Sequence, residues 1–390
     1  MNRVIIQDRA AVSVKKGHPW IFSGKISSIT PDDKTPLAEV YSKKGDFLCL
    51  GYYNPSTSIA IRVLSLARTE IGRDFFKVRI DNSLRRRFRS GIDNQSDSYR
   101  VVNGESDLLP GLIIDRYGKT AVIQIHTLGM DFFRDHIVDA MLEVLSPNSI
   151  YEKSENLSIK REGLARKKGL LAGNKIDENI IIHENGLSFE VDIIRGQKTG
   201  FFLDQRDNRS LIRKISKGLR VLNLFSYTCA SGVNAMAGGA DYVLNVDISE
   251  SAILTGRHNF CINGLGEDSA GFIAGDVFEY LKSENHRFDM VIVDPPAFIK
   301  SIKDRRKGME AYSRINGLAL EKLEKGGIFL TSSCSSLLKR IEFENLITGL
   351  LTERGLHMQY GGIYGHPADH PVLASFPEGN YLKTFHFTGL

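Results

Sequence analysis

From residue 194 onward the chain alternates short apolar runs with amphipathic stretches, and this alternation restricts the fold more than any other feature. The runs "RVLNLF", "YVLNVDIS", "AGFIAGDV", "FDMVIVDPP" and "IFLTSSC" read as strands. Around them "RDNRSLIRKIS", "GVNAMAGG", "SAILTGRHNFCINGL", "FEYLKSEN" and "RINGLALEKLEKGG" read as helices. Strands this apolar are buried on both faces, which implies a doubly wound, largely parallel sheet. In such sheets ligands bind beyond the carboxyl ends of the strands, so those ends hold the chemistry.

The first strand end, "NLFSYTCASG", lacks the G-x-G-x-x-G that a dinucleotide pyrophosphate requires. Its residues Phe225, Ser226, Tyr227, Thr228 and Gly232 suit a ligand without phosphates, met by hydroxyls and backbone amides. The second strand ends on Asp247 and Ile248, where a carboxylate can accept from ribose hydroxyls. The third ends on Asp276, able to meet an adenine amino group while Val277 and Phe278 pack the ring. The fourth ends "VDPPAF", containing Asp294, Pro295, Pro296 and Phe298. This ordered set resembles the α/β, Rossmann-like domain of class I S-adenosylmethionine-dependent methyltransferases.

Asp-Pro-Pro after an apolar strand is a recurrent element of nucleic-acid methyltransferases. The prolines stiffen the backbone, so a flat base can lie on it, with Asp294 at its edge, Phe298 as a stacking surface and Lys300 beside it. Of the four cysteines, Cys334 in "TSSCSSLLKR" stands at the next strand end. Carbon 5 of a pyrimidine is a poor nucleophile until a thiolate adds at carbon 6, whereas an exocyclic amine needs no thiol. Cys334 and Asp294 are therefore the catalytic candidates, with helix amides and Lys339 or Arg340 expected to favour the thiolate. Cys229 belongs to the cofactor turn, and Cys49 and Cys261 are expected to pack.

The N-terminal part differs in texture. "RAAVSVKKG", "AEVYSKKGDFLCLGYYNP" and "SIAIRVLS" read as short β segments of a small barrel, with Trp20 in its core. Residues 73–192 read as strand pairs around a helix, giving three domains: 1–72, 73–192 and 193–390. A composition of 42% hydrophobic and 25% charged residues suits a packed globular chain rather than disorder. No apolar run is long enough to span a bilayer, and no Cys/His spacing suggests a metal. A cytoplasmic protein with reduced thiols is expected. The net charge of +5 is modest, but "LRRRFRS", "IKREGLARKKG" and "KSIKDRRKG" are dense enough to expect phosphate contacts.

Nearly the whole chain resembles the PUA-domain-containing 23S ribosomal RNA cytosine-5 methyltransferases, the large-subunit methyltransferase I family. The resemblance rests on "KKGHPWIFSG", "NGESDLLPGLIIDRYG", "GQKTGFFLDQRDNR", "NLFSYTCASG", "VDPPAF", "SSCSS" and "DHPVLASFPEGNYLK". It implies a PUA-like barrel, a central EEHEE-type α+β module and a Rossmann-like catalytic domain. It also implies S-adenosylmethionine, a ribosomal RNA cytosine and Cys334 as nucleophile. The "KTGFFLDQR" element would place Thr199, Gly200, Phe202, Asp204, Gln205 and Arg206 around the cofactor. "DPPAF" carries no second cysteine, which leaves the acceptor of the C5 proton open between Asp294 and an ordered water. A homodimer is left open, as are two rivals: guanine or amino-nitrogen methylation on the same fold, and a non-catalytic RNA-binding role.

Overall fold

The computed structural model describes residues 1–390 apart from 33, 156, 177 and 178, and they fall into two compact units. The first comprises residues 1–182, 191–203 and 368–379; the second comprises 183–190, 204–367 and 380–390.

The first unit begins with a six-stranded sheet of β1 (Asn2–Ile6), β2 (Trp20–Phe22), β3 (Ile26–Thr30), β4 (Leu37–Tyr41), β5 (Phe47–Tyr53) and β6 (Ile59–Ser65). Its order is β2-β6-β5-β4-β1-β3, antiparallel except for β1 against β4. The stretch "RAAVSVKKG", expected as strand, is instead helix α1 (Asp8–Lys15). Ala10, Ala11 and Val14 form one buried helical face there, and burial of that face overrides the apparent alternation. Helix α2 (Arg73–Arg89) then leads to β7 (Ser98–Asn103), β8 (Leu112–Tyr117), β9 (Thr120–Ile125), α3 (Leu128–Phe132), α4 (Arg134–Leu145), β10 (Ser149–Ser154) and β11 (Lys167–Gly173). The sheet β11-β10-β9-β8-β7 has one strand more before the helices than the EEHEE pattern provides.

The two sheets of this unit share a core. Tyr52 and Leu64 from the N-terminal sheet pack in one cluster with Phe76, Val101, Ile114, Ile123 and Ile137. Polar ties reinforce it. The buried Tyr52 hydroxyl donates to the Pro110 carbonyl (2.7 Å), and Arg62 pairs with the buried Glu162 (2.6 Å). Trp20, expected in the barrel core, is half-buried outside that cluster: it donates Nε1–H to Glu105 (2.8 Å) and packs edge-on against Phe376 (4.6 Å). Arg87, from the basic run "LRRRFRS", is fully buried and forks onto Asp107 (2.7 and 2.5 Å), which removes it from the residues free to meet phosphate.

The hairpin β12 (Asn179–Glu184) and β13 (Leu187–Asp192) precedes the remaining elements. These are α5 (Arg206–Ile215), β14 (Arg220–Leu224), α6 (Ala230–Ala237), β15 (Tyr242–Asp247), α7 (Glu250–Ile262), β16 (Ala270–Ala274), α8 (Val277–Ser283), β17 (Phe288–Val293), α9 (Arg305–Leu320), β18 (Leu323–Ser333), α10 (Arg340–Glu353), β19 (Met358–Tyr364) and β20 (Lys383–Gly389). The seven-stranded order is β16-β15-β14-β17-β18-β20-β19. The first five strands are parallel, which is the Rossmann-like arrangement expected. Two antiparallel strands, β20 and β19, complete the edge and had no counterpart in the sequence reading. Strand order reverses between β14 and β17, and at such a switch point a ligand crevice opens.

Three expectations need correction in this unit. Helix α9 begins within the basic run "KSIKDRRKG" and stops at Leu320, because Gly308, Tyr312, Ile315 and Ala319 form its buried face while Leu323 already pairs with Phe288 of β17. Helix α10 starts at Arg340, so Cys334 is separated from it by a five-residue turn, and Lys339 and Arg340 are exposed. Cys261, expected to pack, lies on the exposed side of α7.

Asp107 generates a pH prediction. Burial pushes its carboxyl up, but the Arg87 charge, with hydrogen bonds from Arg87, the Asn103 amide and Arg86, outweighs this and holds it below the usual carboxylate value. Its stabilising contribution is therefore complete above the unfolded value of about 3.9 and is lost as pH falls through the lower folded value. Asp107→Asn is expected to lose about 3 kcal/mol at pH 7, with wild type and variant converging in strong acid. Urea denaturation across pH checks this.

Candidate active site

The turn after β14 is built under strain. Phe225, Tyr227 and Cys229 adopt left-handed φ values of 59°, 48° and 59°, alternating with Ser226 and Thr228. A non-glycine residue there costs on the order of 1 kcal/mol, so the surroundings must over-determine it. They do so through hydrogen bonds: Ser226 N to Val246 O (3.1 Å), Tyr227 N to Asp247 Oδ2 (2.8 Å), and Asn259 Nδ2 to Thr228 O (2.9 Å). The Cys229 amide is also held within the turn, donating to Ser226 O (2.8 Å). The buried Thr228 Oγ1 has no hydrogen-bond partner. A polar ligand in the turn would satisfy it.

Asp247 holds the turn and its own strand end together. Oδ2 accepts from Tyr227 N, and Oδ1 accepts from Ser249 N (2.9 Å). Ile248 beside it is 74% exposed, an apolar face suited to a flat ring. Asp276 is exposed and caps α8 through Glu279 N (3.1 Å). Val277 is buried in the sheet core rather than at the rim, and Phe278 is only partly buried against it. Gly232 lies inside α6, where a Cβ would sit 2.2 Å from Asn245 Oδ1. Its lack of a side chain lets α6 approach β15, a packing role that the turn reading did not anticipate.

The "KTGFFLDQR" residues divide. In the first unit, the buried Thr199 Oγ1 donates to Asp115 (2.6 Å) and pairs with the Tyr117 hydroxyl (2.8 Å). Gly200 follows in that turn, its amide bonded to Gln197 O, and the Phe202 ring lies under Lys198 (4.4 Å). In the second unit, buried Asp204 accepts from the Tyr381 hydroxyl (2.7 Å). Arg206 is fully buried and pairs with Glu184 (3.2 Å), which Arg209 also grips; this arginine is a packing element. Gln205 is the member that reaches the sheet rim: its Nε2 donates to Asp294 Oδ2 (2.7 Å). Its Oε1 accepts from Asn208, which donates on to Thr384, itself bonded to Ser332 (2.8 Å).

β17 and β18 run side by side, with Val293 opposite Thr331, and each ends at the rim. Asp294 and the prolines therefore leave next to Cys334, whose Sγ lies 4.0 Å from the Pro295 carbonyl oxygen. Pro295 is buried, Pro296 and Lys300 are exposed, and Phe298 is half-buried, edge-on to Tyr312 (4.9 Å). Cys334 is partly accessible. Cys49 and Cys229 are buried, and burial pushes each thiol up to about 12, which excludes them as nucleophiles near neutral pH. One cation near Cys334 escaped the sequence reading. Lys383, at the start of β20, is buried and donates to the carbonyls of Ser335 (2.6 Å) and Leu338 (2.5 Å).

Among the described residues no cluster suits a metal, and no helix is long and apolar enough to cross a membrane. Five parallel strands in this order, with acidic residues and an Asp-Pro-Pro turn at their carboxyl ends, are the arrangement of an S-adenosylmethionine-dependent methyltransferase. A model described as S-adenosylmethionine-dependent methyltransferase matches residues 164–337, and one described as a PUA-like domain matches 4–66. Curated relatives named ribosomal RNA large subunit methyltransferase I include those of Photobacterium profundum (38% identical; 96% of each chain) and Tolumonas auensis (38%; 97% of each). The chain belongs to this family. A solved chain in complex with SAH superposes with a TM-score of 0.88 at 26% identity over all of both chains. A SAM-dependent methyltransferase structure from Streptococcus mutans gives 0.86 at 26%, again over both whole chains.

Asp247→Ala removes the acceptor that holds Tyr227 N and Ser249 N. Affinity for S-adenosylmethionine is expected to fall at least about tenfold, or about 1.4 kcal/mol, by calorimetry. Iodoacetamide at neutral pH is expected to label Cys334 and Cys261 but neither Cys49 nor Cys229, as read by peptide mass spectrometry.

Proposed function

We propose that the protein methylates carbon 5 of a cytosine in large-subunit ribosomal RNA through a covalent adduct of Cys334. The relatives' shared name supports ribosomal RNA as substrate. The observation that carries the chemistry is the position of Cys334: a partly accessible thiol just past the end of β18, 4.0 Å from the Pro295 carbonyl in the turn after β17. The exposed cations Lys300, Lys303, Arg306 and Lys307 flank that rim at the start of α9 and suit a phosphate backbone.

S-adenosylmethionine supplies an electrophilic methyl group. Ser226, Tyr227 and Thr228 would hold its amino-acid end and Asp247 its ribose, with Ile248 and Asp276 at the adenine. Gln205 fixes the Asp294 carboxylate at the base edge. The prolines, with Phe298, would support an extruded cytosine. Addition of the Cys334 thiolate to carbon 6 raises electron density at carbon 5, which then takes the methyl. Loss of the C5 proton and expulsion of the thiolate restore the ring, so the enzyme thiolate is regenerated.

Cys334→Ala is expected to lower methylation by on the order of 10³-fold or more while leaving S-adenosylmethionine binding intact. Methylation of a guanine or an exocyclic amine would instead proceed in this variant at close to the wild-type rate. Liquid chromatography and mass spectrometry of nucleosides from treated ribosomal RNA distinguishes the two.

A further inference from the structure

Lys383, the first residue of β20, is an unusual residue to bury. It is only 4% exposed, although a buried ammonium is costly unless its hydrogen bonds are met. It stands in register with Ser333, the residue before Cys334. Its Nζ–H groups reach the carbonyls of Ser335 and Leu338, which belong to the turn after Cys334. The lysine thus closes a loop around the cysteine from the neighbouring antiparallel strand, and the two side chains interact electrostatically.

We propose that Lys383 is the positioning residue of the reaction: it fixes the Cys334 turn and places a positive charge behind the sulfur, favouring the thiolate. This rests on the reading of Cys334 as nucleophile. The exposed Lys339 and Arg340 cannot match it, because water screens charges at the surface while a buried ammonium acts through a poorer dielectric. Burial pulls the Lys383 ammonium down to about 8, against the opposing pull of Cys334 and Glu342, so most of it is charged at neutral pH. The other titratable groups around the pair are Glu342, which acts on Lys383, and Tyr312, which feels both Cys334 and Asp294. Burial pushes the Tyr312 phenol up to about 12, so it stays neutral. A second cation, the partly exposed Arg305, reaches the Leu337 carbonyl of the turn (2.8 Å) but is paired with Glu342 (2.5 Å), and Gln205 donates to Asp294 (2.7 Å).

The test is the pH dependence of Cys334 alkylation by iodoacetamide in the full-length protein, followed by mass spectrometry of the Cys334 peptide. Cys261 serves as the exposed reference thiol in the same sample. In wild type the Cys334 inflection is expected at least about one pH unit below that of Cys261. Lys383→Gln, which can still donate to the two carbonyls, is expected to raise the Cys334 inflection by about one unit or more, and Lys383→Arg to restore most of the difference. A wild-type Cys334 inflection at or above that of Cys261 overturns the proposal whether or not the variants fold. So does an unchanged inflection in Lys383→Gln. Failure of the nucleophile reading is separate: it would appear as full methylation by Cys334→Ala, with the alkylation profile untouched.

Discussion

The parallel register of β17 against β18 is the constraint from which the rest of the site follows. Because Val293 pairs with Thr331, β17 gives way to Asp-Pro-Pro while β18 continues through Ser332 and Ser333, paired with β20, before turning at Cys334, and the Pro295 carbonyl comes to 4.0 Å from its sulfur. Loops leaving a sheet would ordinarily fray, yet these are fastened by side chains. Thr331 donates to Asn316 (2.5 Å), Ser333 to the Tyr312 hydroxyl (3.0 Å), and Ser335 to the Ile299 carbonyl (2.7 Å). Arg305 donates to the Leu337 carbonyl (2.8 Å) from the start of α9. Gly308 makes the fit possible, since a Cβ there would stand 2.4 Å from Ile299 Cγ1. Each bond is modest alone, but a buried network left partly unmade is costly. The serines and threonines around Cys334 are therefore supports for one sulfur rather than a run of small residues.

The opposite side of the switch point works differently. The turn after β14 holds three strained residues and is kept in place by Asp247 and Asn259. Strain beside a strand end is held there by a carboxylate from the next strand. On the β17–β18 side, Gln205, Asn208 and Thr384 form a polar chain running from Asp294 to Ser332.

The parallel core was legible because continuous apolar runs have one physical explanation, burial on both faces, and acidic residues at their ends stand where ligands bind. The short N-terminal helix α1 was not legible, because Ala-Ala-Val-Ser-Val satisfies a period of two as well as one turn of helix. The edge strands β19 and β20 were missed because "MQYGGIY" and "KTFHFTG" are interrupted by glycine and polar residues, and their pairing is decided by β18. Among candidate residues, the places of Asp247 and Cys334 at strand ends could be read from position. Gly232, Arg206 and Thr199 could not, since their partners Asn245, Glu184 and Asp115 arrive from other elements. Lys383 stood in plain view in "EGNYLK", but only the antiparallel pairing of β20 with β18 brings it to the cysteine.

The central claim is a covalent bond between the sulfur of Cys334 and a cytosine ring, and the most direct measurement is to trap it. Large-subunit ribosomal RNA carrying 5-fluorocytidine cannot lose a C5 proton after methyl transfer, so the adduct should persist. Incubation with the full-length protein and S-adenosylmethionine, followed by nuclease and protease digestion, is predicted to yield the Cys334 peptide bearing a methylated fluorocytidine nucleotide. Methylation of ordinary ribosomal RNA with no such adduct from the fluorinated RNA, or an adduct on Cys261, would contradict the account.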